Sequence, residues 1–287
     1  MRRLVVLLML PGLFALPVLG LAETTLEKIE RTGVFSLGVR EATPPYGWLN
    51  EQNQYVGFST DIARMVIQKI EELLGISIQI DYIPVTGRTR IPLLLNGTID
   101  LEAGATVITE EREDVVDFSF PFFCTSTCLL VARGSMIASV EDLAGKRVGG
   151  HRGGIEEIII SNLNETGRIS PPATFIGYEE HSSGFTALAS GLIDAYMSDA
   201  PILYGLRRSA PNPDDWKVVD PGVNVTLQAF PLRENDSDFR DIVNMVIAEL
   251  YRSGQWLTLY EEYFVPEGFP PEPPPTLQVL IKMFALP

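Results

Sequence analysis

Cysteine is nearly missing from this chain: of 287 residues, only Cys124 and Cys128 carry a thiol. Four residues apart in a strand they would lie ~13 Å from each other, beyond disulfide reach unless the chain turns there. Two free, buried thiols is the simpler reading, and metal binding by this pair alone is weakly supported. Histidine is as scarce, with His151 and His181 alone, and no HExxH, GxSxG or CxxC spacing occurs. Metalloprotease, hydrolase and dithiol redox chemistry therefore lose their usual signals, and no metal or cofactor is expected. Positive charge is the third shortage. Lys and Arg number 22 against 37 Asp and Glu, a formal charge of −15. Nucleic acid is excluded as a partner, since phosphate binding needs basic patches, and any anion site must be built locally against the field of the whole protein. Past the first two dozen residues no apolar run is long enough to span a bilayer.

What is present begins with a targeting pattern. Met1-Arg2-Arg3 precedes LVVLLMLPGLFALPVLGLA, a charged start, an apolar middle and a small-residue exit, so residues 1–22 read as a secretory signal cleaved after Ala22. Pro11, Gly12 and Pro17 interrupt the run and argue against a retained spanning helix of ~20 residues. No cysteine lies near Ala22 to carry a lipid anchor. Without Arg2 and Arg3 the counts become 20 basic and 37 acidic, a formal charge of −17.

The remaining 46%-hydrophobic chain alternates strand-like and helix-like stretches, the signature of an α/β architecture. Strands are predicted at 34–39, 77–83, 99–101, 147–149, 174–178 and 193–197. Helices are predicted at 60–74, with Ile62, Met65, Val66, Ile70 and Leu73 at helical spacing, and at 90–95, 155–162 and 183–190. The order repeats, which implies two similar lobes. After Phe230 come helices at 238–253 and 256–263, the stiff PEGFPPEPPP segment and a last helix TLQVLIKMFA, read as packing against a lobe rather than as a further domain.

Four arginines stand just beyond strand ends or at helix starts: Arg40, Arg90, Arg112 after the small-residue run Ala103-Gly104-Ala105, and Arg152 inside GGHRGG. Ligands of open α/β sheets bind beyond the carboxyl ends of strands, so a locally basic pocket for a small anion is predicted, held by bidentate guanidinium. Each arginine alone reads equally well as half of a surface salt bridge, given 37 acids. GGHRGG lacks the GKT ending of a phosphate loop, but Gly153, Gly154 and Ile155 precede a helix whose amides would be open to an anion.

LGVREATPPYGWLNEQNQYVGFSTDIA, VTGRTRIPLLLNGTIDLEAGATVITEEREDVVDFSFPFF, SVEDLAGKRVG and FTALASGLIDAYMSDAPILYG occur in that order, with PDDWKVV behind them. Through these stretches residues 26–287 resemble the extracytoplasmic solute-binding proteins of polar amino acid ABC uptake systems, family 3, and most of all the glutamate/aspartate-binding branch. The resemblance implies a periplasmic binding protein-like type II fold: two α/β lobes joined by hinge strands, residues 23–129 plus 230–287 and residues 130–229, closing on a ligand and presenting it to a membrane ABC permease. It implies a periplasmic monomer without cofactor or catalytic residues.

It also implies site roles. Arg112, in ITEER, would clamp an α-carboxylate, and Asp199, in MSDA, would take the α-ammonium. Arg40 stands where branches with cationic ligands carry an acid, which selects for a negative side chain; Arg90 and His181 match further ligand-contacting positions. Ala105, Val107, Gly154 and Ile155 stand where the family usually places hydroxyls, so backbone contacts at Ala105 and Gly154 remain, while side-chain hydrogen bonds of ~1 kcal/mol each do not. His181 reads equally as a helix-entry residue beside the caps Ser182 and Ser183. The ligand expected is glutamate, aspartate or another small organic anion. The competing reading is a periplasmic cyclohexadienyl or prephenate-type dehydratase on the same fold; no acid or base besides Asp199 is identifiable in the cleft stretches, which disfavours it.

Overall fold

Thr24 starts the first helix by a reciprocal cap, its hydroxyl accepting from the amide of Glu27 while the Glu27 carboxylate accepts from the Thr24 amide. The structure is a computed structural model describing residues 23–286; the predicted signal segment lies outside the described residues. Among those residues no helix is long and apolar enough to cross a membrane.

The chain runs through α1 (Thr25–Thr32), β1 (Val34–Val39), a small antiparallel sheet of β2 (Ala42–Thr43), β3 (Gly47–Leu49) and β4 (Tyr55–Val56), then α2 (Phe58–Leu74), β5 (Gln79–Pro84), α3 (Arg90–Leu95), β6 (Leu101–Ala103) and α4 (Glu110–Glu113). β1 lies between β5 and β6, parallel to both, and this sheet centres the first lobe. The α2 stripe differs from the sequence reading. Phe58, Ile62, Ala63, Val66, Ile67 and Ile70 are buried, whereas Leu73, on the same face but in the last turn, is exposed.

β7 (Asp117–Phe118) and the ten-residue β8 (Phe123–Ala132) follow. The second half supplies β9 (Arg147–His151), α5 (Glu156–Glu165), β10 (Thr174–Tyr178), α6 (His181–Ala189), β11 (Ala195–Asp199), α7 (Ala200–Ser209), β12 (Trp216–Val219), β13 (Val225–Gln228) and β14 (Pro231–Leu232). The second sheet has the order β10-β9-β11-β8-β12, parallel through its first three strands. β8 runs antiparallel to β11, β12 and β13. Its first half, Phe123–Ser126, pairs β13, and its second half, from Thr127, pairs β11 and β12. Cys124 and Cys128 both lie in this unbroken strand, buried and free; burial raises both thiols, Cys128 to about 12, so neither is a reactive thiolate.

α8 (Ser237–Ser253), α9 (Gln255–Tyr263) and α10 (Pro275–Phe284) close the first lobe. Trp256, 1% exposed, donates its indole N–H to the Phe122 carbonyl at 2.8 Å, and Phe264 stacks on Phe123 at 4.4 Å. Leu277 and Leu280 are buried and Phe284 meets Phe120 at 5.0 Å, so the tail is structural packing, as the sequence predicts. The fold is the mixed α/β, two-lobed arrangement expected.

Candidate ligand-binding site

Parallel strands point their carboxyl ends at one place, and the loops that follow them meet there. Arg40 follows β1, Ala105 and Val107 follow β6, and Arg90 and Arg112 come from α3 and α4. From the second lobe, His151 ends β9, Gly154 and Ile155 lead into α5, His181 opens α6 and Asp199 ends β11. All of them line one cleft of ≈ 390 Å³, its mouth included. The seven residues singled out from sequence, Arg40, Arg90, Ala105, Arg112, Gly154, His181 and Asp199, are thus brought together. Thr43, Ser198, Ile202 and Glu156 join them without having been recognised.

The arginines divide sharply. Among the described residues, every arginine outside the cleft has an acidic ion-pair partner. Arg40, Arg90 and Arg112 have none, although Arg40 and Arg90 are each only 4% exposed. Arg112 donates to the Val107 carbonyl at 2.6 Å and to the Gly153 carbonyl of the other lobe at 3.2 Å. Arg40 Nη2 lies 3.4 Å from His151 Nε2, and Arg90 Nε is buried with no partner. Burial, and then repulsion from Arg90, pushes Arg112 down to about 10 and lowers Arg40 as well. Buried charges without a counter-ion are strongly unfavourable, and an anion arriving in the cleft would relieve all three.

Arg152 does not join them. Although it follows a strand as Arg40 does, it turns outward, pairs Glu179 at 3.2 Å and donates to the Gly177 carbonyl at 2.9 Å. Nor is the Gly154 amide open to an anion, because it closes a turn onto the His151 carbonyl at 3.0 Å. Glu180 is the N-cap of α6, so the helix starts two residues before Ser183 and neither serine is its cap. The run Ala103-Gly104-Ala105 also has a different reason than ligand contact throughout. Ala103 is fully buried, and a Cβ on Gly104 would run into Glu102 Oε1 and lie 3.2 Å from Arg40 Cγ, so only Ala105 faces the cleft.

Three acids stand near the arginines. Asp199, at the N-cap of α7, accepts from Gln228 Nε2 at 2.9 Å and Thr226 Oγ1 at 3.5 Å; burial pushes it up to about 6. Glu102 is fully buried beside Arg40 and accepts from Thr106 Oγ1 at 2.6 Å. Glu156, 6% exposed, is pushed up to about 8 by burial, and its Oε2 has no partner. The cleft therefore holds a second buried acid that sequence reasoning missed. A Glu at the first position of a helix ordinarily faces water, and nothing local marks this one as turned inward.

His151 and His181 stack with ring centroids 4.7 Å apart and an interplanar angle of 27°, and His181 Nδ1 lies 3.0 Å from the Tyr196 hydroxyl. Burial first depresses both, followed for His151 by the adjoining His181 and for both by Arg40 and Arg90; His181 falls to about 3, so the pair is neutral at physiological pH. The lobes meet edge to edge beside them. A Cβ on Gly87 would stand 2.6 Å from the Arg152 carbonyl, and Gly153, at φ +78°, faces the Gly87 backbone in turn. Among the described residues no group of three or more His, Cys, Asp or Glu is placed to hold a metal ion.

Residues 35–266 match the bacterial extracellular solute-binding proteins, family 3. The chain belongs to this family. Over 244 residues this solute-binding protein is 33% identical to a glutamate/aspartate import solute-binding protein of Salmonella typhimurium, covering 85% of this chain and 80% of the relative. It is 36% identical over 198 residues to a glutamine-binding protein of Geobacillus stearothermophilus, covering 68% and 71%. Among solved structures it resembles an ancestral amino acid-binding protein described as a precursor of cyclohexadienyl dehydratase, with a TM-score of 0.71, 26% identity, and coverage of 84% of this chain and 99% of the other. It is the solute-binding component of a polar amino acid ABC importer.

Proposed function

We propose that this solute-binding protein captures a small acidic amino acid, of the glutamate/aspartate class, in the periplasm after export by its signal segment, and presents it to its ABC permease by lobe closure. One observation carries the choice of ligand charge: the only arginines without an acidic partner among the described residues are the three that line the cleft. With Glu156 neutral, Asp199 is the one carboxylate among the lining residues to set against three guanidinium groups, so the cleft is positive. An acidic amino acid, with two carboxylates and one ammonium, brings a net negative charge to it.

In this reading Arg112 holds the α-carboxylate and Asp199 the α-ammonium, while Arg40 and Arg90 hold the side-chain carboxylate and His181 and the walls at Ala105 and Gly154 bound it. The lobes divide as residues 23–129 plus 230–287 and residues 130–229, the chain crossing at β8 and again near β13; the antiparallel pairing of these two crossing strands supports that division. The protein acts as a monomer.

Titration calorimetry against L-glutamate, L-aspartate, L-glutamine, L-asparagine and L-arginine tests the proposal. Micromolar binding of the first two at pH 7, about −8 kcal/mol, with weaker binding of the amides, is the expected result; preference for L-glutamine or L-arginine at that pH refutes it. A second reading, a dehydratase acting on a prephenate-like acid, draws support from Glu156, a buried acid held protonated near neutrality in the cleft. Turnover of prephenate with no amino acid binding would establish it.

A further inference from the structure

Glu156 lines the cleft although it starts a helix. It is the first residue of α5, where a side chain ordinarily projects to water, yet it is 6% exposed while its neighbour Glu157 is exposed. The carboxyl folds back over Gly154, filling the space where a side chain on that residue would stand, since a Cβ there would run into Glu156 Oε2. From that position it lines the cleft, and Oε2 has no hydrogen-bond partner among the described residues. It belongs to a residue that lines the cleft, and a buried polar atom left without a partner calls for one.

Its surroundings come from both lobes. Arg90 on α3 and Arg112 on α4 face it from the first lobe; Asp199 and Tyr196 on β11 face it from the second, and the histidines His151 and His181 stand on the same cleft wall. The arginines favour its ionised form, whereas burial and the neighbouring Asp199 carboxylate oppose it. Burial is the largest of these effects, and it holds Glu156 up at about 8, close enough to physiological pH for its charge to be conditional.

We propose that the protonation state of Glu156 sets the charge class of the ligand: neutral Glu156 leaves the cleft its full positive charge and selects an acidic amino acid, while ionised Glu156 lowers that charge by one and favours a neutral amide such as glutamine. The inference rests on the acidic amino acid reading given above. As a carboxylic acid, Glu156 also brings an O–H donor to a carboxylate held by Arg112, a charge-assisted hydrogen bond that disappears on ionisation. Discrimination between two ligands that differ only as carboxylate and amide therefore becomes a function of pH, without any change of residue.

The test is the ratio of L-glutamine to L-glutamate dissociation constants, measured by calorimetry from pH 7 to pH 9, above the titration of Asp199, on the wild type and on Glu156→Gln. Both ligands carry the same α-ammonium and α-carboxylate, so titration of those groups largely cancels in the ratio. In the wild type the preference for L-glutamate should fall by about tenfold per pH unit once Glu156 ionises. In Glu156→Gln the ratio should be flat across the range, whatever the affinity at any single pH. A flat ratio in the wild type, or an unchanged slope in Glu156→Gln, overturns the role of Glu156 while leaving the acidic amino acid reading intact. Failure of the wild type to bind either ligand at any pH overturns that reading and this inference with it. Infrared spectroscopy of the unaltered protein gives a second measurement should the variant not fold. A carboxylic C=O band at pH 7 that bleaches as the pH rises toward 9 is expected, and its absence at pH 7 refutes the inference.

Discussion

Gly87→Ala isolates lobe closure from ligand chemistry, because Gly87 touches the other lobe and does not line the cleft. A methyl group there would stand 2.6 Å from the Arg152 carbonyl oxygen and 2.7 Å from His151 Nε2. Ordinary contact begins at 3.4 Å, so this edge of the interface must open by about 0.8 Å. The obstacle on one side is backbone, which has no rotamer to yield. Gly87 itself has no positive φ, so alanine adds no conformational strain of its own. Overpacking of this kind costs about 1–3 kcal/mol, and here the penalty belongs to the closed form. The opening also lengthens the two contacts that bridge the lobes over the cleft, Arg112 to the Gly153 carbonyl and Arg40 to His151. L-Glutamate should therefore bind roughly 5- to 150-fold more weakly, with the melting temperature of the unliganded protein changed far less than that of the ligand-saturated protein. Calorimetry paired with thermal melts at zero and saturating L-glutamate reads both quantities. A dissociation constant equal to that of the wild type would refute the reasoning, since it would mean that binding does not require the contact seen at Gly87.

Further outcomes follow from the charges. Arg40→Ala and Arg112→Ala should each weaken L-glutamate binding by more than 100-fold in calorimetry, yet raise the stability of the unliganded protein by about 1–3 kcal/mol in urea unfolding, because each removes a buried charge that has no counter-ion. Asp199 is raised from 3.8 to about 6 in the fold, so the folded state holds its proton more tightly than the unfolded chain does. Its contribution to stability is therefore present below pH 4 and lost as pH rises through 6, and Asp199→Asn should be the more stable protein at pH 7, on the order of 3 kcal/mol, by urea unfolding at the two pH values. His181 is depressed from 6.5 to about 3, so its contribution is present above pH 6.5 and declines as pH falls toward 3. His181→Gln should flatten the acid side of the melting-temperature profile between pH 7.5 and pH 4, and an unchanged profile would show that the stacked histidines are not held neutral by the fold.

Much of the architecture was legible because it rests on local rules. Strand β1 coincides with its predicted span, and α2, β5, α3 and β10 agree to within a residue or two, since periodicity and glycine stops act over a few residues. The shifts elsewhere have particular causes. α6 begins at His181 rather than Ser183 because the chain is extended at Glu180, and β11 runs on to Asp199 because it pairs β8 as far as Thr127. α7, which follows β11 without a linking loop, carries no separating turn to announce it and was not recognised. In the cleft, Arg40, Arg90 and Arg112 could be chosen from topology and Ala105, Gly154, His181 and Asp199 from the family resemblance, and all seven converge. Glu156, Thr43, Ser198 and Ile202 could not, since whether a residue near a helix start or strand end turns inward depends on what lies across from it.

The amino-acid sequence alone determined the alternation of strands and helices, the family, and the position of four arginines just past strand ends or at helix starts, because each is a property of residue order. Only the tertiary structure separated those arginines. Arg152 meets Glu179 and becomes an ordinary surface pair, whereas Arg40, Arg90 and Arg112 are enclosed with each other and lack any acidic partner. It likewise decided that the acid beginning α5 faces the ligand cavity instead of water. Charge and desolvation are sums over neighbours in space, and those neighbours come from both lobes, from segments far apart in the chain.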